Sequence, residues 1–418
     1  MNNNTVFMNL KEKLRQIDSS LISHQKSSAP SGGRDIEYYV DGIIRETPYG
    51  SCFVSTNRYK KSYDNNTHTY FKLLEITPRL IALAGKDFKL EEMEIHRALF
   101  VDTETTGLAG GSGTYAFLIG LGFFENDEFI VEQYFMRDYS EEQAILHCLK
   151  ERLETAGSLI TYNGKCYDIP LLKTRFALSR FSAAVFPDLH LDLLFTVRRL
   201  WKTRLSDCSL SSVEKFILGV NRTNDVFSYL IPHLFFEYVR SRNASAMKPI
   251  FNHNVQDILS LAIIAVRASE MFDVDSSSSL SHGEYMSIGK VYEELGKHKK
   301  STIAYNLARN STEDRALWVQ AAEKLGMCYK RQNNWKNATS LWENMITRGF
   351  SSLHPYVELA KYYEHISHDF DKAQEYVQKA LHAIDVKEML HSSAYSKEDR
   401  AALLHRQRRL KNKIAKNR

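Results

Sequence analysis

The sequence predicts an α/β domain, built on a mixed β-sheet flanked by helices, that is followed by an all-α domain of helical repeats. Between about residues 96 and 270, short apolar runs come first as a meander and then alternate with helical segments, which is typical of such a sheet. After a Ser-rich linker at 271–283, the chain is helical and repeats itself. With 418 residues, it is also too long for one ordinary core.

The composition excludes several classes of protein. The formal net charge is only +5, so a phosphate-binding surface would have to be local. The five cysteines are scattered and never form a Cys-x-x-Cys pair, which argues against a disulfide framework and a zinc ribbon and fits a reducing cytosol. No segment approaches the ~20 apolar residues that span a bilayer, and the first residues lack the apolar core of a secretory signal. We therefore expect a cytoplasmic protein without a membrane partner.

The first 95 residues divide into two segments. Residues 1–35 are predicted to form a short amphipathic helix and a linker, because "SSAPSGGRD" sustains neither a helical nor a strand period. Residues 36–95 alternate like strands broken by turns, as in "ETPYGSCFV". This predicts a β-rich N-terminal extension whose role the sequence does not reveal.

Residues 96–270 contain the elements of the α/β domain in order. The run "RALFVDTETTG" is predicted to be a strand, and "TYAFLIGLGFFENDEFIVEQYFM" two strands joined by a turn. An amphipathic helix follows in "SEEQAILHCLKERLETAG", with Ser140 as its N-cap and Gly157 just after its end. The run "SLITYNG" is a further buried strand, and "DIPLLKTRFALSRF" begins the next helix.

The region 284–395 repeats a helical pattern. Small residues recur at one position and tyrosines three residues later, at Gly289 and Tyr292 and again at Gly326 and Tyr329. Small residues at helix crossings with an aromatic residue one turn on are typical of tetratricopeptide repeats, which usually bind another protein. A plain helical bundle with similar packing is the alternative. The last segment, 396–418, is predicted to be a basic tail that is either solvated or in contact with phosphates.

Two acids stand at the end of the first strand of the α/β domain. Asp102 and Glu104 lie on one face of that strand, since side chains at i and i+2 point the same way. Two carboxylates are costly to hold together unless a cation neutralises them, and carboxylate oxygens suit magnesium or manganese. Further acids are therefore expected. They are found at Asp168 in "YNGKCYD", and at Asp257, which shares a helical face with His253 in "FNHNVQDI".

Each of the later residues also has a simpler explanation when it is taken alone. Asp168 has the position of a helix N-cap. His253 would be a surface histidine near a helix start, and Asp257 a first-turn acid that complements the helix dipole. Their occurrence together, in this order after Asp102 and Glu104, favours a shared metal site.

The order of these residues resembles that of the DEDD exonucleases of the ribonuclease H-like fold. The resemblance covers about 96–270, with "DTETTG" as its most specific motif and "YNGKCYD" as the second. Within 188–227, the Arg-Arg-Leu-Trp, Cys-Ser-Leu-x-x-Val-Glu and Arg-x-x-Asp elements are similar to those of the YprB-like branch. That branch includes mitomycin repair factor B, a bacterial DNA exonuclease with tetratricopeptide repeats, so both halves of the chain agree with it.

The resemblance implies a catalytic site with two divalent metal ions, Mg²⁺ or Mn²⁺. The implied metal ligands are Asp102, Glu104, Asp168 and Asp257. His253 is the implied general base, because a histidine can accept a proton near neutral pH. Its step of four residues to Asp257 is the step of the tyrosine subclass, whereas the histidine subclass has five.

The resemblance also places the backbone of the strand exit beside the terminal nucleotide. The predicted substrate-binding residues are Thr103, Thr105, Thr106 and Asn163. Asp192 is a family feature near the site but is not expected to bind metal directly.

The implied function is hydrolysis of DNA from its 3′ end by a two-metal-ion mechanism, in DNA repair and in association with the nucleoid. The sequence has no P-loop, so unwinding would require a partner, and the resemblance suggests a DNA helicase bound through the repeats. Two alternatives stay open. One is an exonuclease that processes RNA, and the other is a catalytically inactive, repeat-based adaptor.

Overall fold

The computed structural model describes residues 34–61, 69–107, 113–223, 225–273, 280–349, 352–389 and 397–417. The predicted N-terminal helix lies outside these residues, and so does most of the first linker. The tip of the Gly-rich loop after the strand exit and most of the second linker also lie outside them. No helix in the described ranges combines the length and apolarity that a membrane crossing requires.

A mixed sheet forms the centre of the α/β domain, as predicted. Its strands in the described part of the chain are β1 (Ile43–Thr47), β2 (Gly50–Lys60), β3 (Ala98–Thr105), β4 (Ala116–Glu125), β5 (Glu128–Phe135), β6 (Ser158–Thr161) and β7 (His190–Asp192). Their order is β1-β2-β5-β4-β3-β6-β7. Strand β3 pairs antiparallel with β4 and parallel with β6, so it lies where the two kinds of pairing meet.

Strands β4 and β5 form the predicted hairpin. Asn126 and Asp127 occupy its turn with φ of 49° and 60°, a conformation that these two residue types tolerate and that matches the twist of the strands. Nearly all of β4 and β5 is buried, since helices cover both faces of the sheet.

The described α-helices pack on both faces of the sheet and continue after it. They are α1 (Pro78–Gly85), α2 (Glu142–Thr155), α3 (Asp168–Leu178), α4 (Leu193–Trp201), α5 (Leu210–Val213), α6 (Ile231–Ser241), α7 (Met247–Glu270), α8 (His282–Glu294), α9 (His298–Asn310), α10 (Arg315–Arg331), α11 (Trp335–Thr347), α12 (His354–His365), α13 (Phe370–Met389) and α14 (Lys397–Asn417). Helix α7 crosses the sheet against β3 and β4.

The start of α2 differs from the prediction. Ser140 is not the N-cap, because it belongs to a short 3₁₀ turn at Tyr139–Glu141 and α2 begins only at Glu142. The carboxylate of Asp138 caps that turn by accepting a hydrogen bond from the Ser140 backbone amide. An acid two residues earlier therefore takes the role that was expected of the serine.

The prediction of a β-rich extension over 36–95 is correct only for its first half. Strand β2 pairs antiparallel with β5, so β1 and β2 extend the central sheet and do not form a separate unit. Residues 69–97 are described as helical turns and the helix α1, which begins at Pro78. Most apolar residues of this stretch are buried in the core on one side of the sheet, although Leu74 and Phe88 are exposed. A proline at the first helical position favours a helix start.

The C-terminal region consists of helices in hairpins, which fits a helical repeat domain. A Cβ atom added at Gly289 would lie 2.6 Å from Cε1 of Tyr305, and one at Gly326 would lie 2.5 Å from Nε1 of Trp342. The repeated glycines are therefore places where an aromatic ring of the next helix packs directly on the backbone.

The boundary predicted at 284 lies inside a shared core. Ile288, Val291 and Tyr292 of α8 are fully buried in the same cluster as the outer face of the sheet and helix α7. In addition, Trp201 Nε1 donates a hydrogen bond to Glu284 Oε1 at 3.0 Å. Helix α8 thus completes the α/β domain as well as starting the helical region.

The basic tail proves to be the helix α14, packed against α13. Its Arg406, Arg409 and Lys413 all form ion pairs with Glu364, whose side chain is fully buried. A buried carboxylate requires such partners. The helix keeps an exposed face, as expected of a solvated segment, but three of its cations pair with Glu364.

Candidate metal centre

The first two acids of the site are placed by the end of β3. The pairing of β3 with β6 stops at Phe100 opposite Ile160, so Asp102 and Glu104 extend beyond the end of β6. The register between β3 and β4 shifts at Glu104, as in a β-bulge, a feature that redirects side chains next to functional sites.

Asp168 is brought to the same place by the start of α3. Thr103 Oγ1 donates a hydrogen bond to Asp168 Oδ1 at 2.5 Å, which fixes the third acid beside the strand exit. The loop before α3 is held by the buried Asp192, which accepts hydrogen bonds from the backbone amides of Asn163 at 2.8 Å and Lys165 at 3.0 Å. Asp192 therefore positions the loop that carries Asp168, while Asn163 lies exposed at the turn with φ of 63°.

Helix α7 supplies His253 and Asp257 on one face, as their spacing predicted. His253 Nε2 lies 3.8 Å from Glu104 Oε1 and 3.7 Å from Asp257 Oδ2. On the other side of the ring, His253 Nδ1 lies 2.7 Å from Asp225 Oδ1. The structure thus brings the five predicted side chains together from three separate parts of the chain.

The other two predicted threonines are engaged within the protein. Thr105 Oγ1 donates a hydrogen bond to the Gly107 carbonyl at 2.9 Å. Thr106 exchanges hydrogen bonds with the backbone of Tyr115 through both its amide and its hydroxyl. These contacts close the strand exit, so both threonines shape the site mainly through the backbone.

Asn254 is a site residue that the sequence did not reveal. It is fully buried, and its Nδ2 donates a hydrogen bond to Asp102 Oδ2 at 2.7 Å. Its Oδ1 accepts a hydrogen bond from Gln133 Nε2 at 2.9 Å. Asn254 therefore orients the carboxylate of Asp102. A glycine inside β4 leaves space for the Asn254 side chain, because a Cβ atom at Gly120 would lie 2.1 Å from Asn254 Oδ1.

Substitution of Gly120 by alanine is expected to damage both stability and the site. The new methyl group would push Asn254 off Asp102 inside a packed core, where overpacking typically costs about 1–3 kcal/mol. Thermal unfolding should show a lower midpoint, and metal binding should weaken. The control is Gly113→Ala, since no described atom lies within 4 Å of a Cβ at Gly113. Equal effects of the two substitutions would contradict the role given to Asn254.

A second group of unpredicted residues surrounds Arg222. Its guanidinium donates hydrogen bonds to Asp257 and to Glu214, which is 1 % exposed. The same guanidinium lies 3.2 Å from Asp225 Oδ2 and 3.1 Å from His253 Nδ1. The Arg-x-x-Asp element was noted in the sequence as a family feature, but no residue pattern showed that it would reach α7.

Burial and mutual repulsion dominate the electrostatics of the carboxylates. Burial, and then the charges of Asp257 and Asp168, raise the pKa of Asp102 well above its usual range. Burial and the charge of Asp102 do the same for the pKa of Glu104. Burial raises the pKa of Asp168 to about 6, against the lowering effect of the Thr103 hydrogen bond. A nearby divalent cation would favour the ionised forms, so the site is electrostatically prepared for one.

The residues present fit hard divalent cations. Four carboxylates supply only oxygen ligands, the donor type that Mg²⁺ and Mn²⁺ prefer. Within the described ranges, no three His, Cys, Asp or Glu side chains are already gathered closely enough to share one metal ion. Three of the four carboxylates accept hydrogen bonds from protein donors, namely Thr103, Asn254 and Arg222.

Two clefts are lined by residues that belong to the site or to its supporting loops. One, of about 630 Å³, lies beside His253 and is lined by residues of α7 such as Lys248 and Asn252. The other, of about 830 Å³, includes Asn163 together with Arg198 and Lys202 of α4.

Comparison with known proteins agrees with this architecture. Residues 99–269 match the family model described as the RNase H superfamily. Over 397 residues, the chain is 30% identical to the protein named "Uncharacterized protein YprB" of Bacillus subtilis (strain 168), and the match covers 90% of this chain and 94% of that protein. The matched domain contains all five converging residues.

Proposed function

Because this chain belongs to the family of YprB and carries an RNase H superfamily domain, we propose that it is a metal-dependent 3′–5′ exonuclease that hydrolyses the phosphodiester bonds of DNA. The observation that carries the proposal is the convergence of four carboxylates, one buried and three partly buried, with His253 at one strand end. The 3′–5′ direction and the preference for DNA are taken from the resemblance to the DEDD exonucleases.

Each residue of the site has a distinct task in this proposal. The ions held by the four carboxylates would supply positive charge that activates water and stabilises the leaving 3′ oxygen. His253 would accept the proton of the attacking water at Nε2, the nitrogen that faces Glu104 and Asp257. Asp225 at Nδ1 orients the ring and would stabilise its protonated form.

The two clefts contain groups that can bind a nucleic-acid backbone. Lys248 lines one cleft, and Arg198 and Lys202 line the other. None of these three cations forms an ion pair with a residue that the structure describes. They are therefore available to contact phosphates, and their contribution to affinity should weaken as salt is raised.

The experiment that tests the function compares matched strands. DNA and RNA oligonucleotides of one sequence, labelled at the 5′ end, are incubated with the purified chain with and without Mn²⁺. We expect the DNA to shorten stepwise from its 3′ end only when Mn²⁺ is present. Faster shortening of RNA would favour RNA processing, the alternative function. Absence of any cleavage would contradict nuclease function and favour an inactive adaptor, against which the intact set of acids argues.

We also propose that the helical region docks a DNA helicase in DNA repair, as tetratricopeptide repeats would. The support is indirect: the chain has no P-loop, and the helical hairpins offer a surface separate from the carboxylates. Because α8 belongs to the core of the α/β domain, this idea is better tested with surface substitutions on α10–α13 than by deleting 284–395. Loss of helicase binding without loss of cleavage would support it, and unchanged binding would contradict it.

A further inference from the structure

One cation of the protein already lies at the site. The side chain of Arg222 is 13% exposed, and its Nη2 donates hydrogen bonds both to Asp257 Oδ1 and to Glu214 Oε1. Thus a carboxylate oxygen that the proposed function assigns to a metal ion is bound to a guanidinium. No other carboxylate of the proposed metal ligands pairs with Lys or Arg within the described residues.

We propose that Arg222 is an internal competitor for the metal ion that Asp257 would hold. This inference rests on the proposed function, because it concerns the same four carboxylates. An incoming ion must take Asp257 Oδ1 from Arg222, and two cations at one carboxylate repel each other, strongly so in a partly buried site. Of the two proposed metal positions, the one at Asp257 therefore binds its ion more weakly until negative charge is added.

The surroundings of Arg222 allow Asp257 to exchange partners. Arg222 keeps two acidic contacts, Glu214 and Asp225, when Asp257 turns away, so its charge stays compensated. Arg222 Nε and Glu214 Oε2 are buried without a hydrogen-bond partner in the described residues. Both atoms could therefore form a new hydrogen bond when Asp257 leaves Arg222. A purely structural buried ion pair is expected to satisfy these groups.

The consequence is a dependence of metal loading on substrate. A nucleic-acid phosphate at the site brings the negative charge that offsets both Arg222 and the second ion. The complete set of cations would then assemble only when the substrate is bound. The site would be protected from loading two ions in the absence of nucleic acid.

The test is a Mn²⁺ titration of the full chain without nucleic acid. Binding is measured by calorimetry and by the loss of the EPR signal of free Mn²⁺. Two variants remove the competitor: Arg222→Met, and Glu214→Gln/Arg222→Met, which avoids leaving Glu214 buried without a cation. We expect the weaker Mn²⁺ to bind at least about 10-fold more tightly to the double variant, because one repelling charge is gone. The matched control is Arg240→Met, which removes an exposed arginine paired only with Glu237 among the described contacts.

The outcomes separate this inference from the proposed function. Affinity in the double variant equal to or weaker than that of the wild type would overturn the competitor role, even if Mn²⁺ still binds. Tightening by the control as well would show a general charge effect and would also overturn it. Absence of Mn²⁺ binding by both the wild type and the double variant would contradict the metal site itself.

Discussion

Replacing Asp102 with asparagine is expected to lower nuclease activity by about 10³-fold or more while leaving the metal-free protein at least as stable as the wild type. The loss of activity follows because one carboxylate ligand is removed from a site whose catalysis is electrostatic. The fold is expected to survive because asparagine has the same shape and can still accept the hydrogen bond from Asn254. Cleavage of labelled DNA and thermal unfolding measure the two effects.

The stability effect has a defined pH dependence. Because burial and the charges of Asp257 and Asp168 raise the pKa of Asp102, the folded metal-free protein binds a proton that the unfolded chain releases. Its stability therefore falls as pH rises above the ordinary carboxyl pKa of about 4. The variant lacks this loss, so its advantage should be larger at pH 7 than at pH 5. Saturating Mn²⁺ should stabilise the wild type but not the Asp102 variant.

A matched control separates the site from a general change of charge. Asp127→Asn removes one carboxylate from the exposed turn between β4 and β5, where its φ of 60° also suits asparagine. It should leave cleavage and unfolding unchanged. Full turnover by the Asp102 variant in Mg²⁺ or Mn²⁺ would contradict the site assignment.

Truncation before α8 is expected to prevent folding of the α/β domain. A chain that ends at Leu280 exposes the surface on which Ile288 and Val291 are buried, and these two side chains alone account for about 3–6 kcal/mol. It also loses the bond between Trp201 and Glu284. Since domain stabilities are about 5–15 kcal/mol, we expect an insoluble or unfolded product by circular dichroism.

A longer truncation provides the comparison. A chain that ends at Ser311 keeps α8 and α9, whose buried apolar residues, apart from Tyr305, belong to the core of the α/β domain. It should stay folded and retain Mn²⁺-dependent cleavage. If the chain ending at Leu280 unfolds at the same temperature as this one, then α8 contributes nothing to the α/β domain.

The sequence predicted the parts of the site that have a local pattern. Asp102 and Glu104 could be found because acids at the end of an apolar strand are conspicuous, and the shared face of His253 and Asp257 follows from their helical spacing. Asn254 could not be found in this way, because a single asparagine within an apolar helix forms no recognisable sequence pattern. Arg222 reaches Asp257 through an ion pair across 35 positions, which no local pattern contains.

The fold shows the same division. The meander and the alternation after it predicted the mixed sheet, and the repeated small residues marked the glycines on which aromatic rings pack. The prediction for 69–97 was wrong because its apolar residues follow no regular helical or strand spacing. Which of them are buried depends on how the segment packs against the sheet. The role of α8 was missed because a Ser-rich linker resembles a domain boundary, whereas the core that crosses it is formed by distant parts of the chain.

Diffraction from crystals of the protein grown with Mn²⁺ tests the central claim most directly. Anomalous scattering locates manganese independently of any assumption about the site. We expect peaks about 2.0–2.5 Å from oxygens of Asp102, Glu104, Asp168 and Asp257, the range of hard cations bound to carboxylates. Manganese found only elsewhere, with these four side chains unchanged, would contradict the account.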